Sequence, residues 1–90
     1  MELSGKEKKA LRAVGQTLAV GVQVGRSGIT EGVLGEIDRR FEESELVKVK
    51  ISESGSARKQ VAEELENRAK AVCVGLIGRS VLLYRAKTEE

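Results

Sequence analysis

Between each pair of the first three strand-like runs of this chain lies an amphipathic segment long enough to be a helix. The runs are Leu18-Ala19-Val20-Gly21-Val22-Gln23-Val24, Glu45-Leu46-Val47-Lys48-Val49-Lys50-Ile51 and Val72-Cys73-Val74-Gly75-Leu76-Ile77. Thr30 is a good N-cap for the first intervening helix, which directs Val33, Leu34, Ile37 and Phe41 to one side. The second runs from about Ala57 to Ala69 and directs Val61, Ala62, Leu65 and Ala69 inward, after a loop over Ser52-Glu53-Ser54-Gly55-Ser56. Crossovers of this length favour parallel strands with the helices stacked on the sheet. Gly78-Arg79 then suits a two-residue turn between the third run and Val81-Leu82-Leu83-Tyr84-Arg85, since glycine supplies the positive φ such a turn requires. A further helix precedes everything, opened by the capping box Ser4-Gly5-Lys6-Glu7 and running to about Gly15 with Ala10, Leu11 and Val14 as its apolar side. The fold class is therefore α/β: a two-layer αβαβαββ sandwich with a mixed four-stranded sheet. It is one domain over residues 1–86, followed by a polar tail at 87–90.

The second helix is preceded by Gly25-Arg26-Ser27-Gly28, a GxxG loop joining the end of a strand to the start of a helix. Two residues without a Cβ let the backbone turn sharply and approach a ligand closely. Arg26 adds a permanent charge in a fork that matches phosphate. The helix that follows turns its N-terminal amides and the positive end of its dipole toward the loop. A loop of this form grips the nucleic-acid backbone in RNA-binding KH modules, although a GxxG also serves as a tight turn with no ligand.

Charge is unevenly spread along the 90 residues, which a net charge of +2 conceals. Residues 1–29 carry five basic and two acidic groups, net +3; residues 30–66 carry six and ten, net −4; residues 67–90 carry five and two, net +3. In the first helix Lys6, Lys8, Lys9 and Arg12 accompany Glu7 alone. That imbalance fits a phosphate-contacting face better than a merely solvated one. Thr30, Lys48, Lys50, Arg79, Tyr84 and Arg85 are further candidates for RNA contact. The acidic sides of the second and third helices, with Glu63, Glu64 and Glu66 on the third, are poor nucleic-acid surfaces. They suggest the other reading of the chain, a protein-interaction module docking a basic protein, ribosomal or other.

Several functions lose support from composition. The chain has no histidine and a single cysteine, Cys73, set in an apolar run. This removes the usual zinc-ligand sets, any internal disulfide and every nucleophile that relies on histidine. No pairing of carboxylates or lysines has a catalytic logic, so no catalytic residue, metal or cofactor is expected. Phe41 and Tyr84 are the only aromatic residues, too few for the stacking sheet of an RRM or the platform of an OB-fold. Neither a membrane-length apolar run nor a signal-peptide pattern is present. A cytoplasmic monomer without membrane contact is the expectation.

Four segments resemble the CRM-domain family, whose small members are the YhbY-like proteins. Leu3-Ser4-Gly5-Lys6-Glu7-Lys8-Lys9-Ala10-Leu11-Arg12 resembles its opening helix, and Val24-Gly25-Arg26-Ser27-Gly28-Ile29-Thr30-Glu31-Gly32-Val33 its loop. Glu45-Leu46-Val47-Lys48-Val49-Lys50 resembles its second strand, and Ile77-Gly78-Arg79-Ser80-Val81-Leu82-Leu83-Tyr84-Arg85 its closing hairpin. The resemblance implies a fold similar to the C-terminal domain of translation initiation factor three. It implies RNA as partner, ribosomal RNA of large-subunit precursors first, with ribosomal proteins of that particle as further partners, and a part in ribosome assembly or RNA folding. The family's proposed RNA surface maps onto Lys6, Lys8, Lys9 and Arg12 and onto Gly25, Arg26, Ser27 and Gly28. The chain departs from the family at Val14-Gly15-Gln16-Thr17-Leu18-Ala19-Val20, where an Ala-His-x-Leu-Lys-Pro-like stretch is usual. The loop's grip is expected to depend on Lys6, Lys8, Lys9 and Arg12 of the first helix lying beside it.

Overall fold

The computed structural model describes residues 3–52 and 56–86. The middle of the loop after Ser52 and the tail at 87–90 lie outside these. Three helices and four strands alternate in the order α1 (Gly5–Gly15), β1 (Val22–Gln23), α2 (Glu31–Glu43), β2 (Leu46–Lys50), α3 (Ser56–Ala69), β3 (Val72–Ile77) and β4 (Ser80–Tyr84). The sheet order is β1-β2-β4-β3. β1 runs parallel to β2, as a helical crossover dictates. β4 runs antiparallel to both its neighbours, so β2 and β3 share a direction without touching.

The predicted elements form, with differences at their edges. β1 keeps only Val22–Gln23 of the apolar run from Leu18. The ammonium of Lys48 donates to the carbonyls of Gly15 and Leu18, at 3.1 and 3.2 Å, and holds Leu18 against the end of α1; only from Gly21, whose amide donates to the Lys48 carbonyl at 2.9 Å, does the chain run along β2. Both predicted caps are present. The Ser4 hydroxyl accepts from the Glu7 amide while the Glu7 carboxylate accepts from the Ser4 amide, and Thr30 accepts from the Val33 amide. The Ser4 amide, and after it the Ser4 hydroxyl, holds the Glu7 carboxyl below its ordinary value. The carboxylate half of this cap is therefore lost as pH falls through that lowered value, while the Ser4 hydroxyl keeps its bond from the Glu7 amide.

Strand alternation separates two packed faces. Val47, Val49, Val81 and Leu83 join Val22, Ile37, Phe41, Ala62, Leu65 and Ala69 in the main core under α2 and α3, the two layers expected, to which α1 adds a third on the opposite face of the sheet. Lys48, Leu82 and Gly75 point the other way, and α1 lies there, chiefly on β3. The docking side of α1 is not the predicted one. Ala10 is exposed and Val14 is 55% exposed, whereas Gly15 is buried and Leu11 and Arg12 are half-buried.

The reason is steric. A Cβ on Gly15 would come within 2.4 Å of a Leu82 methyl, and one on Gly75 within 2.4 Å of the Arg12 stem. Two glycines thus let helix and sheet approach. A bulge at Val74, between residues opposite Leu83 and Leu82, leaves a carbonyl to which Arg12 Nη1 donates at 3.0 Å.

Arg12→Ala is expected to cost about 1–3 kcal/mol in urea denaturation, because it strands the buried Val74 carbonyl. Gly75→Ala is expected to cost a similar ~1–3 kcal/mol by overpacking. In the Arg12→Ala background Gly75→Ala should cost less, since the atoms it strikes are gone.

Candidate nucleic-acid interface

The glycine loop leaves β1 at the edge of the sheet and enters α2. The Gly28 amide donates to the Gly25 carbonyl at 3.1 Å, closing a four-residue turn. Gly28 has φ +76°, a conformation that costs a residue with a Cβ about 1–2 kcal/mol. Gly25 is outside that region, and a Cβ built on it would meet nothing within 4 Å. The turn therefore needs glycine at residue 28 for its own backbone. At residue 25 nothing within the chain demands it, and the open space there faces outward. Arg26 and Ser27 are exposed.

Beyond the turn the chain is fastened to α3. Arg68 Nη1 donates to the Ile29 carbonyl at 2.9 Å and to Glu64 at 3.0 Å, while Nη2 lies 3.8 Å from Glu31 in the first turn of α2. Thr30 spends its hydroxyl on capping α2. The exposed turn thus projects from a fixed base.

The cationic candidates fall into two groups. Arg12 is committed to Val74, and Lys48 to the end of α1. Arg85 donates to Asp38 at 2.9 Å and to the Ala69 carbonyl, with its guanidinium 4.4 Å from the centre of the Phe41 ring. These three are fasteners of the fold. The side chains of Arg26, Lys6, Lys8, Lys9, Lys50 and Arg79 form no hydrogen bond or ion pair among the described residues. Their charges face water or a ligand.

Position divides them again. β1 and β3 are the two edges of the sheet, and α1 lies over β3. The lysines of α1 and the glycine loop therefore do not adjoin. Instead, Lys50 pairs with Gln23 at the end of β1 and with Ser80 at the start of β4. The Val24 amide donates to the Lys50 carbonyl at 2.8 Å, and the Ile51 amide to the Arg79 carbonyl at 2.9 Å. Loop, Lys50 and the Gly78–Arg79 turn thus share one end of the sheet. Tyr84 and Arg85 sit at the other end, where Tyr84 opposes Leu46.

Nothing in the sequence marks Arg68 as the loop's anchor, because its partners lie far along the chain. Gly75 inside an apolar run was a legible sign of close backbone approach, from which the docking of α1 could have been read.

Cys73 is half-buried against the main core, and burial pushes its thiol up from the ordinary value. It behaves as a small apolar residue rather than a reactive thiol. Among the described residues no cluster of acidic or cysteine side chains could hold a metal ion, and no helix is long and apolar enough to cross a membrane.

The model of the CRS1 / YhbY (CRM) domain matches residues 3–85. An "RNA-binding protein" of Haemophilus influenzae is 36% identical over 88 residues, covering 97% of this chain and 89% of that one. The "Probable RNA-binding protein YqeI" of Bacillus subtilis is 32% identical, covering 97% of this chain and 92% of its own length. The solution structure of the hypothetical protein SAV1595 from Staphylococcus aureus superposes with a TM-score of 0.87 at 31% identity, over 98% of this chain and 93% of that one.

If Gly28 alone is required by the backbone, Gly28→Ala should lower stability by about 1 kcal/mol. Gly25→Ala should leave the thermal unfolding midpoint of the free protein unchanged.

Proposed function

This chain belongs to the CRS1/YhbY (CRM) domain family, and from that membership and the surface it displays we propose that it binds structured RNA without transforming it chemically. The observation that carries the reading is the outward-facing glycine turn, held at the start of α2, with Arg26 unpartnered among the described residues. The open space at Gly25 admits a sugar-phosphate chain. Arg26 holds a phosphate, assisted by the first amides of α2. Lys6, Lys8 and Lys9 on α1 supply a second contact to a structured RNA that spans both places. Phosphate contacts position an RNA without reading its bases. With one tyrosine and no other stacking ring at the surface, recognition rests on shape and backbone more than on sequence.

The target proposed is ribosomal RNA of large-subunit precursors, and the role is to hold its fold during assembly. The two relatives described as RNA-binding span nearly the same length of chain, which supports RNA as the ligand class.

Charge reversal tests the reading. Arg26→Glu and Lys9→Glu should each weaken binding to large-subunit ribosomal RNA transcribed in vitro. Each should also flatten the plot of log affinity against log salt, by about 0.7 for every single-strand phosphate that the variant no longer neutralises. Affinities and slopes equal to the parent's would eliminate this surface.

A further inference from the structure

The structure assigns the glycine loop two basic partners that are not on α1. We propose that an RNA strand entering at residues 25–28 continues across the end of the sheet, over Lys50, to Arg79 in the turn between β3 and β4. The proposal rests on the reading of the loop as an RNA contact and specifies the path of the RNA from it.

Backbone pairing puts these residues side by side. Val24, which leads into the loop, donates to the carbonyl of Lys50, and Ile51 donates to the carbonyl of Arg79. Lys50 is thus one strand from the loop's origin and one strand from the turn. The whole span is two strand spacings, about 10 Å, which a few consecutive nucleotides cover. Lys50 shares a face with Lys48, but Lys48 is consumed by the end of α1 and Lys50 is not. Arg26, Lys50 and Arg79 are all exposed and have no acidic partner among the described residues.

The turn that carries Arg79 is itself held in place. Gly78 adopts φ +59°, and its carbonyl accepts from Arg58 Nη1 on α3. Arg58 Nε is buried with no partner among the described residues; with its Nη1 committed to Gly78, this guanidinium serves the turn and leaves phosphate contact to Arg79. Three exposed cations at one end of the sheet, Arg26 in the turn after β1, Lys50 at the end of β2 and Arg79 in the turn before β4, form a row suited to a phosphodiester chain. A charged protein segment would fit the row less well, since its acids would have to recur at the same spacing.

The test compares four variants with the parent on large-subunit ribosomal RNA transcribed in vitro, with affinity measured from low to high salt. These are Lys50→Gln, Arg79→Gln, Arg26→Gln and the α1 double variant Lys6→Gln/Lys9→Gln. All replaced side chains are exposed, so unfolding midpoints should match and confirm intact folds. Lys50→Gln and Arg79→Gln should each weaken binding severalfold and reduce the salt slope by about 0.7. In two further variants that combine each of them with Arg26→Gln, the losses should be non-additive, as expected for contacts to one short stretch of strand. Parent-like affinity and slope for both, with weaker binding for Arg26→Gln, would overturn the path and leave the loop as an RNA contact. Weaker binding confined to Lys6→Gln/Lys9→Gln would overturn the path in favour of α1. Parent-like behaviour in all four would overturn the reading of this surface as well as the path.

Discussion

β4 pairs with β2 along one side and β3 along the other, and Val81, Leu82 and Leu83 in its centre are 0% exposed. A strand bonded on both sides has no free edge, and here both of its faces are covered too. Val81 and Leu83 face the core beneath α2 and α3, while Leu82 faces α1 through the gap left by Gly15. Burying each of these side chains stabilises the fold by about 1.5–3 kcal/mol. The register of this one strand also fixes the surface. Lys50 opposite Ser80 brings the β3–β4 turn to the end of the sheet from which the glycine loop emerges.

The same residue types serve two purposes, and their partners tell them apart. Arg12, Lys48, Arg58, Arg68 and Arg85 each donate to a backbone carbonyl of a distant element. They tie α1, α2 and α3 to the sheet and to each other at places where a strand bulge, a helix end or a turn leaves an acceptor unused. At the buried residues Val74, Gly15 and Ala69 such bonds satisfy groups that burial would otherwise leave costly. Arg26, Lys50 and Arg79 have no such duty and remain on the surface. A census of basic residues by segment counts both groups together, so the segment charges exaggerate what is available to a phosphate. They also conceal that the free charges among the candidate contacts fall in two places, one on α1 and one beside the loop.

The loop combines rigidity and access. Its base is held by Arg68 and by the Thr30 cap, while its apex presents a glycine with open space and an unpartnered arginine. A contact held on a fixed frame loses less conformational entropy when a ligand arrives.

The sequence by itself determined the elements, their order and the parallel pairing of β1 with β2. Helical and strand periodicity, caps and glycine turns are local signals, and the crossover rule turns their order into topology. It also marked the glycine loop, whose chemistry lies in four adjacent residues. Only the tertiary structure decided that β4 inserts between β2 and β3, and that α1 covers the second face with Arg12 and Gly15 inward and Val14 outward. Only the tertiary structure, too, set Lys50 and Arg79 beside the loop and the lysines of α1 apart from it. The reason is that these outcomes depend on fit between residues distant in the chain. Room for an arginine stem over Gly75, a carbonyl freed by a bulge and a register between two strands exist only once the surfaces have met.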